Sequence, residues 1–278
     1  MFGMEVGVKS SMAFGPGTAS RLFQASDADV VIRSSDNVNF YLHKRNLEYS
    51  TDGFPPTSIL PTSSSENEVV TLTESSATLE VVFQFVYPQR YPELDYLDLK
   101  SLLTVAEAAE KYGVFAAIYG CQFALRKYAN SDPKEVLAFA AKYNYYSVIE
   151  RIPQRFRIDT PLSELTDILS PHVYRLWSLD RERWLSELQN VTRTVPIHQC
   201  SWKQDWIIIT RTILGQMISP SRLLEPQIDA IFGQFTAPEW NECCVKCVEM
   251  WKKSIKSDWL GVEFLFKYGN VLICDSAY

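Results

Sequence analysis

No apolar run in the chain approaches the roughly 20 residues that a helix needs to cross a bilayer. Ile207-Ile208-Ile209 is far too short, so no membrane partner is expected. No basic N-terminal region precedes a long apolar block, so no secretory signal is read. An intracellular setting, cytoplasm or nucleus, is the expectation. The six cysteines are Cys121, Cys200, Cys243, Cys244, Cys247 and Cys274. In a reducing compartment they are expected as thiols rather than disulfides. No Lys/Arg run exceeds two residues and the formal net charge is −6. A phosphate-binding surface is thus not the chain's main business, and no nucleic acid is expected as partner.

Recognisable catalytic machinery is also lacking. Gly15-x-Gly17 has no strand before it and no Lys-Ser/Thr after it, so it is not a phosphate loop. No Ser or Cys nucleophile with an orienting acid can be placed beside His43. Glu107 and Glu110 read as the solvated side of a helix rather than as paired catalytic carboxylates. The expectation is a chain that is not an enzyme and needs no cofactor. Nothing recurs at a fixed period, which excludes a solenoid.

What is present is a globular composition. Hydrophobic residues make up 46% and charged residues 22%, which separates the chain from disordered proteins. A length of 278 residues suits two domains of ordinary size. Residues 1–25 carry Gly, Ser and Ala without a sustained period and read as a disordered lead-in. Asp29-Val30-Val31-Ile32 and Val38-Asn39-Phe40-Tyr41-Leu42 flank the polar turn Ser34-Ser35-Asp36-Asn37, which predicts a β-hairpin. His43-Lys44 then opens a short helix around Leu47, and Glu68-Val69-Val70-Thr71-Leu72 is a third β-type run. Between them, Phe54-Pro55-Pro56 and Pro61-Thr62-Ser63-Ser64-Ser65 predict an exposed loop. Leu79, Val82, Phe83 and Val86 fall at i, i+3, i+4 and i+7, the stripe of an amphipathic helix. Leu99, Leu102, Leu103 and Ala106 form the next, which closes at Tyr112-Gly113 with Gly in the left-handed position. A third helix carries Phe115, Ile118, Cys121 and Leu125.

The ordered set Asp29-Val30-Val31, Phe40-x-x-His43-Lys44-x-x-Leu47, Ser50 and Phe54 resembles the opening of a BTB/POZ domain. Leu79-x-x-Val82-Phe83-x-Phe85-Val86-Tyr87, Leu102-Leu103-x-x-Ala106-Glu107 and Cys121 are similar to the helices that follow in that family. The resemblance implies an α+β fold for residues 26–130, a small sheet packed with helices. It implies protein partners: self-association as a homodimer or higher oligomer, or recruitment of a partner. The best-known route in the family is a substrate-adaptor role for cullin-3 ubiquitin ligases. It also implies a charged pocket in which Asp29 and Lys44, beside His43, face each other, either as a partner-binding groove or as a structural ion pair. No kelch, MATH or zinc-finger substrate reader accompanies it. An oligomeric scaffold that binds no cullin stays open as the alternative.

Asn130-Ser131-Asp132-Pro133-Lys134-Glu135 marks a boundary. Asp132 is placed to cap, Pro133 suits the first helical position and Glu135 completes a capping box. Residues 131–278 read as an all-α domain, and by position they resemble the BACK extension of many adaptors. Thr160-Pro161 is expected to start a helix with Leu162, Leu165, Ile168 and Leu169, and Ser201 to cap one carrying Trp202, Trp206, Ile209 and Ile213. Tryptophans run from Trp177 to Trp259, as core or as a docking surface. Cys243, Cys244 and Cys247 lie at helical spacing, with Cys247 on the same face as either neighbour. Together His198, Cys200, Cys243 and Cys247 can supply tetrahedral nitrogen and sulfur ligation to zinc. The alternatives are small buried apolar cysteines, or a metal- or thiol-dependent activity in this domain.

Overall fold

A computed structural model describes residues 17–52, 69–198, 201–236 and 239–258. The fold is mixed α+β, and the chain divides into two compact units, Met1–Leu125 and Arg126–Tyr278. Phe54, the Pro- and Ser-rich stretch before Glu68, Cys200, Trp259 and Cys274 lie outside the described residues.

The first unit is built on a four-stranded sheet in the order β1-β3-β2-β4. Strands β2 (Val30–Arg33) and β3 (Val38–Leu42) form the expected antiparallel hairpin, with Ile32 opposite Phe40. Asn37 takes the left-handed conformation in the turn, a backbone state that Asn tolerates. The buried Ser34 hydroxyl accepts from the Val38 amide at 3.0 Å and closes the loop from inside. β4 (Val69–Thr71) lies parallel to β2.

β1 (Thr18–Gln24) pairs parallel with β3, although its sequence falls in the segment expected to be a disordered lead-in. Its buried residues, Ser20 and Phe23, are three apart because the register shifts between Ala19 and Gln24. The irregular register replaces simple alternation, so the strand has no period-two signal. Gly17 is required where β1 begins: a Cβ there would lie 2.8 Å from the Asn37 carbonyl oxygen.

Helix α1 (Lys44–Ser50) buries Leu47, and α2 (Ser76–Gln84) buries Leu79, Val82 and Phe83. Two groups cap α2. Ser75 Oγ accepts from the Thr78 amide, and the Asp36 carboxylate accepts from the Ser76 amide at 2.8 Å and its hydroxyl at 2.6 Å. The hairpin turn is thereby fixed to the helix. α3 (Leu99–Tyr112) begins on Asp98, which accepts from the Ser101 amide at 2.7 Å, and ends on Gly113 at φ +63° as expected. α4 (Phe115–Leu125) turns Ala117, Cys121, Ala124 and Leu125 inward. Phe115, expected on that stripe, is instead 63% exposed. α4 is apolar on both faces, so spacing alone does not choose which face is inside.

In the second unit, α5 is Pro133–Lys142, α6 Tyr146–Ile149, α7 Gln154–Asp159, α8 Pro171–Arg193, α9 Lys203–Gln216, α10 Gln227–Gly233 and α11 Glu242–Asp258. Asp132 precedes α5 but makes no side-chain cap. Its carboxylate receives the Ser131 hydroxyl at 2.6 Å, so the expected box does not form. Leu162–Glu164 is one 3-10 turn instead of the start of a helix, although Leu165 and Leu169 are buried as their spacing implied. Trp177, Trp184, Trp206 and Trp251 are buried, whereas Trp202 sits at the start of α9, 54% exposed and off the expected stripe. A continuous core joins Ile158, Trp184, Ile209, Ile213, Phe232, Cys244, Val248 and Trp251. Lys252 and Lys256 of α11 pair with Asp229 of α10. Among the described residues, no helix is long and apolar enough to cross a membrane.

Glu74, just before α2, is the best-buried carboxylate among the first unit's ion pairs. Burial pushes its carboxyl up, but hydrogen bonds from Lys111 and Tyr112 outweigh that and hold it below its ordinary value of 4.5. A carboxyl lowered on folding stabilises above its unfolded pKa, and the gain is lost as pH falls through its folded value. Glu74→Gln is therefore expected to cost about 1–3 kcal/mol near neutral pH. The difference from wild type shrinks as pH falls below 4.5. All seven tryptophans lie in the second unit, so the check is urea unfolding of the full chain read by pulse hydrogen exchange in α2 and α3.

Candidate functional sites

Three places in the fold concentrate chemistry or exposed apolar surface. The first is where β3 meets α1. The Asp29 carboxylate accepts a hydrogen bond of 2.6 Å from the Lys44 backbone amide. The expected charged pairing of the Asp29 and Lys44 side chains is thus replaced by a carboxylate at the N-terminus of a helix. It satisfies an amide with no intrahelical partner and complements the helix dipole. His43 supplies no side-chain cap of its own, which leaves that place to Asp29.

The His43 imidazole lies between Asp27 and Tyr87. Nε2 is 3.2 Å from Asp27 Oδ1, and Nδ1 is 3.2 Å from the Tyr87 hydroxyl. The same hydroxyl accepts from the His43 amide at 3.2 Å. The Tyr87 hydroxyl thus bridges the His43 backbone and ring, and Asp27 faces the opposite ring nitrogen. This order superficially resembles an acid–base–nucleophile relay. Burial, however, raises the Tyr87 hydroxyl above an ordinary phenol, so it stays protonated. The hydrogen bond from His43 holds the exposed Asp27 carboxyl below its ordinary range. The arrangement clamps the start of α1 to the chain just beyond α2. Asp27 was not legible as a member of this set, because no spacing in the sequence relates it to Tyr87.

The second place is a groove of about 630 Å³ lined by Phe85, Tyr91, Leu94, Phe115, Tyr119 and Phe123, among others. Phe115, Tyr119 and Phe123 are at i, i+4 and i+8 on the outer face of α4, each more than 60% exposed. Phe85 and Tyr91 pack at 5.0 Å between ring centroids and form one wall. Gly120 lies on the floor, where a Cβ would meet Phe85 and Leu94 at 3.4 Å. Sequence reasoning missed this surface by assigning Phe115 to the core. The helical repeat of aromatics at 115, 119 and 123 was the available signal.

The third place is in the second unit. The His198 ring packs tilted against Trp206, centroids 5.1 Å apart, and faces the first turns of α11. Its Nε2 is 3.4 Å from Cys243 Sγ and 3.6 Å from Cys244 Sγ, and its Nδ1 is 3.1 Å from Cys247 Sγ. The sequence-predicted His198, Cys243 and Cys247 are thus brought together, and Cys244 joins them. Cys244 is fully buried, while Cys243 and Cys247 are half-buried on either side of it.

The chain matches no protein-family model and no curated protein sequence.

The capping role of Asp29 gives a direct expectation. Asp29→Ala removes the acceptor and should destabilise α1 by about 1 kcal/mol. Asp29→Asn keeps a carbonyl oxygen in place and should recover part of that loss. Hydrogen exchange of the α1 amides in the full chain checks both. Equal loss in the two variants would mean that the charge, not the acceptor, does the work.

Proposed function

We propose that this chain is a non-catalytic protein–protein interaction protein of the BTB/POZ kind, and specifically a cullin-3 ubiquitin-ligase adaptor. Its first unit binds the cullin, and its helical second unit serves substrate capture. The observation that carries the proposal is the aromatic groove on α4. Large aromatic side chains clustered and exposed on one helix face mark an interaction surface, and aromatic residues are favoured at the centres of interfaces. The groove presents four large aromatic rings, Tyr91, Phe115, Tyr119 and Phe123, each at least half exposed. An apolar helix face of a partner, such as one from the helical N-terminal domain of cullin-3, is chemically suited to it. The ordered residues from Asp29 to Cys121 that resemble the BTB/POZ family lend the partner its name.

The test is a calorimetric titration of the full chain with the cullin-3 N-terminal domain. The expected dissociation constant is micromolar or tighter, about −8 kcal/mol or more favourable. Phe115→Ser and Tyr119→Ser should each weaken binding at least tenfold, roughly 1.4 kcal/mol. Neither should lower stability, because both side chains are largely in solvent. Folded protein that gives no heat overturns the adaptor assignment. If that protein is also a defined oligomer by light scattering, the assignment passes to a scaffold.

A further inference from the structure

Independently of any protein partner, we propose that His198, Cys243 and Cys244 bind a zinc ion. His198 Nε2 and the two thiolates ligate it, and Cys247 holds the imidazole from behind.

The nitrogen–sulfur distances suit zinc. Tetrahedral zinc with Zn–S near 2.3 Å and Zn–N near 2.0 Å places neighbouring nitrogen and sulfur ligands roughly 3.5 Å apart. The two observed separations from Nε2 are 3.4 and 3.6 Å. The three ligand atoms all lie within 4.8 Å of one another. A conventional hydrogen bond explains one contact per ring nitrogen, but Nε2 is approached by two sulfurs at once. An ion between the three groups accounts for that convergence.

Cys247 takes a different part. A zinc-bound histidine uses one nitrogen for the metal and donates its other N–H to an acceptor that fixes the ring and raises its basicity. Cys247 Sγ, 3.1 Å from Nδ1, occupies that acceptor position. The i, i+3 and i+4 relation of Cys247 to Cys244 and Cys243 puts all three sulfurs on one side of α11. Cys244 belongs to the apolar stripe continued by Val248, Trp251 and Ile255, which anchors the helix while its sulfur reaches the edge of the core.

Charge supports the same assignment. Two thiolates neutralise the dication and the imidazole binds as a neutral ligand, so a half-buried site carries no net charge. Soft sulfur with imidazole selects zinc over calcium or magnesium, which take oxygen ligands. Among the described residues these three ligands fill three of the four tetrahedral positions. The ion would fasten the chain that follows α8 to the start of α11.

The experiment uses the full chain, stripped with chelator under reducing conditions, reloaded with zinc or cobalt(II) and dialysed. About one zinc per chain should remain by elemental analysis. Cobalt should give a tetrahedral visible spectrum with a thiolate-to-metal charge-transfer band. Cys243→Ser should reduce that band to about half, since one of the two thiolates is lost. His198→Gln should weaken zinc binding at least tenfold in competition with a colorimetric chelator. Cys247→Ser should keep the full charge-transfer intensity yet lose roughly ten- to a hundredfold in affinity, as outer-shell partners do. Cys121→Ser, in the other unit, should change nothing. Zinc below a tenth of an equivalent, with no charge-transfer band from folded wild-type protein, overturns the site. Full retention by Cys243→Ser and His198→Gln overturns the ligand assignment as well.

Discussion

The contact on which the first unit depends is the packing of Phe40 against Phe83. Their centroids are 5.3 Å apart in an edge-to-face arrangement, the geometry that aromatic quadrupoles favour. It joins the central strand of the sheet to α2. Phe23 from β1 completes the cluster at 5.9 Å from Phe40 and 6.0 Å from Phe83. A one-residue slip of the hairpin would turn Phe40 to the opposite face of the sheet, so this single side chain fixes the register of β3. α2 packs on α3 and α3 on α4, and the face that α4 shows to solvent follows from that order. Ala117, Cys121 and Leu125 are used against the core, and Phe115, Tyr119 and Phe123 remain outside.

Around this apolar centre, carboxylates from loops hold the helix ends. Asp36 secures α2, Asp29 secures α1 and Asp98 secures α3, each by accepting from a backbone amide near a helix N-terminus. Every one of these bonds is charge-assisted and meets an amide that would otherwise have no partner. A related bond occurs in the second unit, where Asp159 at the end of α7 accepts from the Ser221 amide at 3.0 Å. What looked in the sequence like a charged pocket around Asp29 and Lys44 is one instance of helix capping by a loop carboxylate.

Short-range signals carried most of what was legible. The hairpin, the α2 stripe and the Gly113 stop each depend on residues a few positions apart, where periodicity and turn chemistry act directly. Features set by distant partners were not legible. β1 is defined by its neighbour β3, and a register shift between Ala19 and Gln24 hides its alternation. Asp132 has the right spacing for a capping box, but its carboxylate is occupied by Ser131. Phe115 and Trp202 have apolar side chains at helical positions, yet burial depends on which element packs on which face. In the cysteine cluster, spacing identified Cys247 with either of its neighbours. Only the approach of His198 selects both Cys243 and Cys244.

The central functional claim is that the outer face of α4 is a partner-binding surface, while the His43 region is an internal clamp. Hydrogen–deuterium exchange of the full chain, with and without the cullin-3 N-terminal domain, separates these directly. Slowed exchange is expected in α4 and in the Pro88–Leu97 segment that faces it across the groove, with α1 and β1 unchanged. Protection centred on α1, or no protection anywhere, would contradict it.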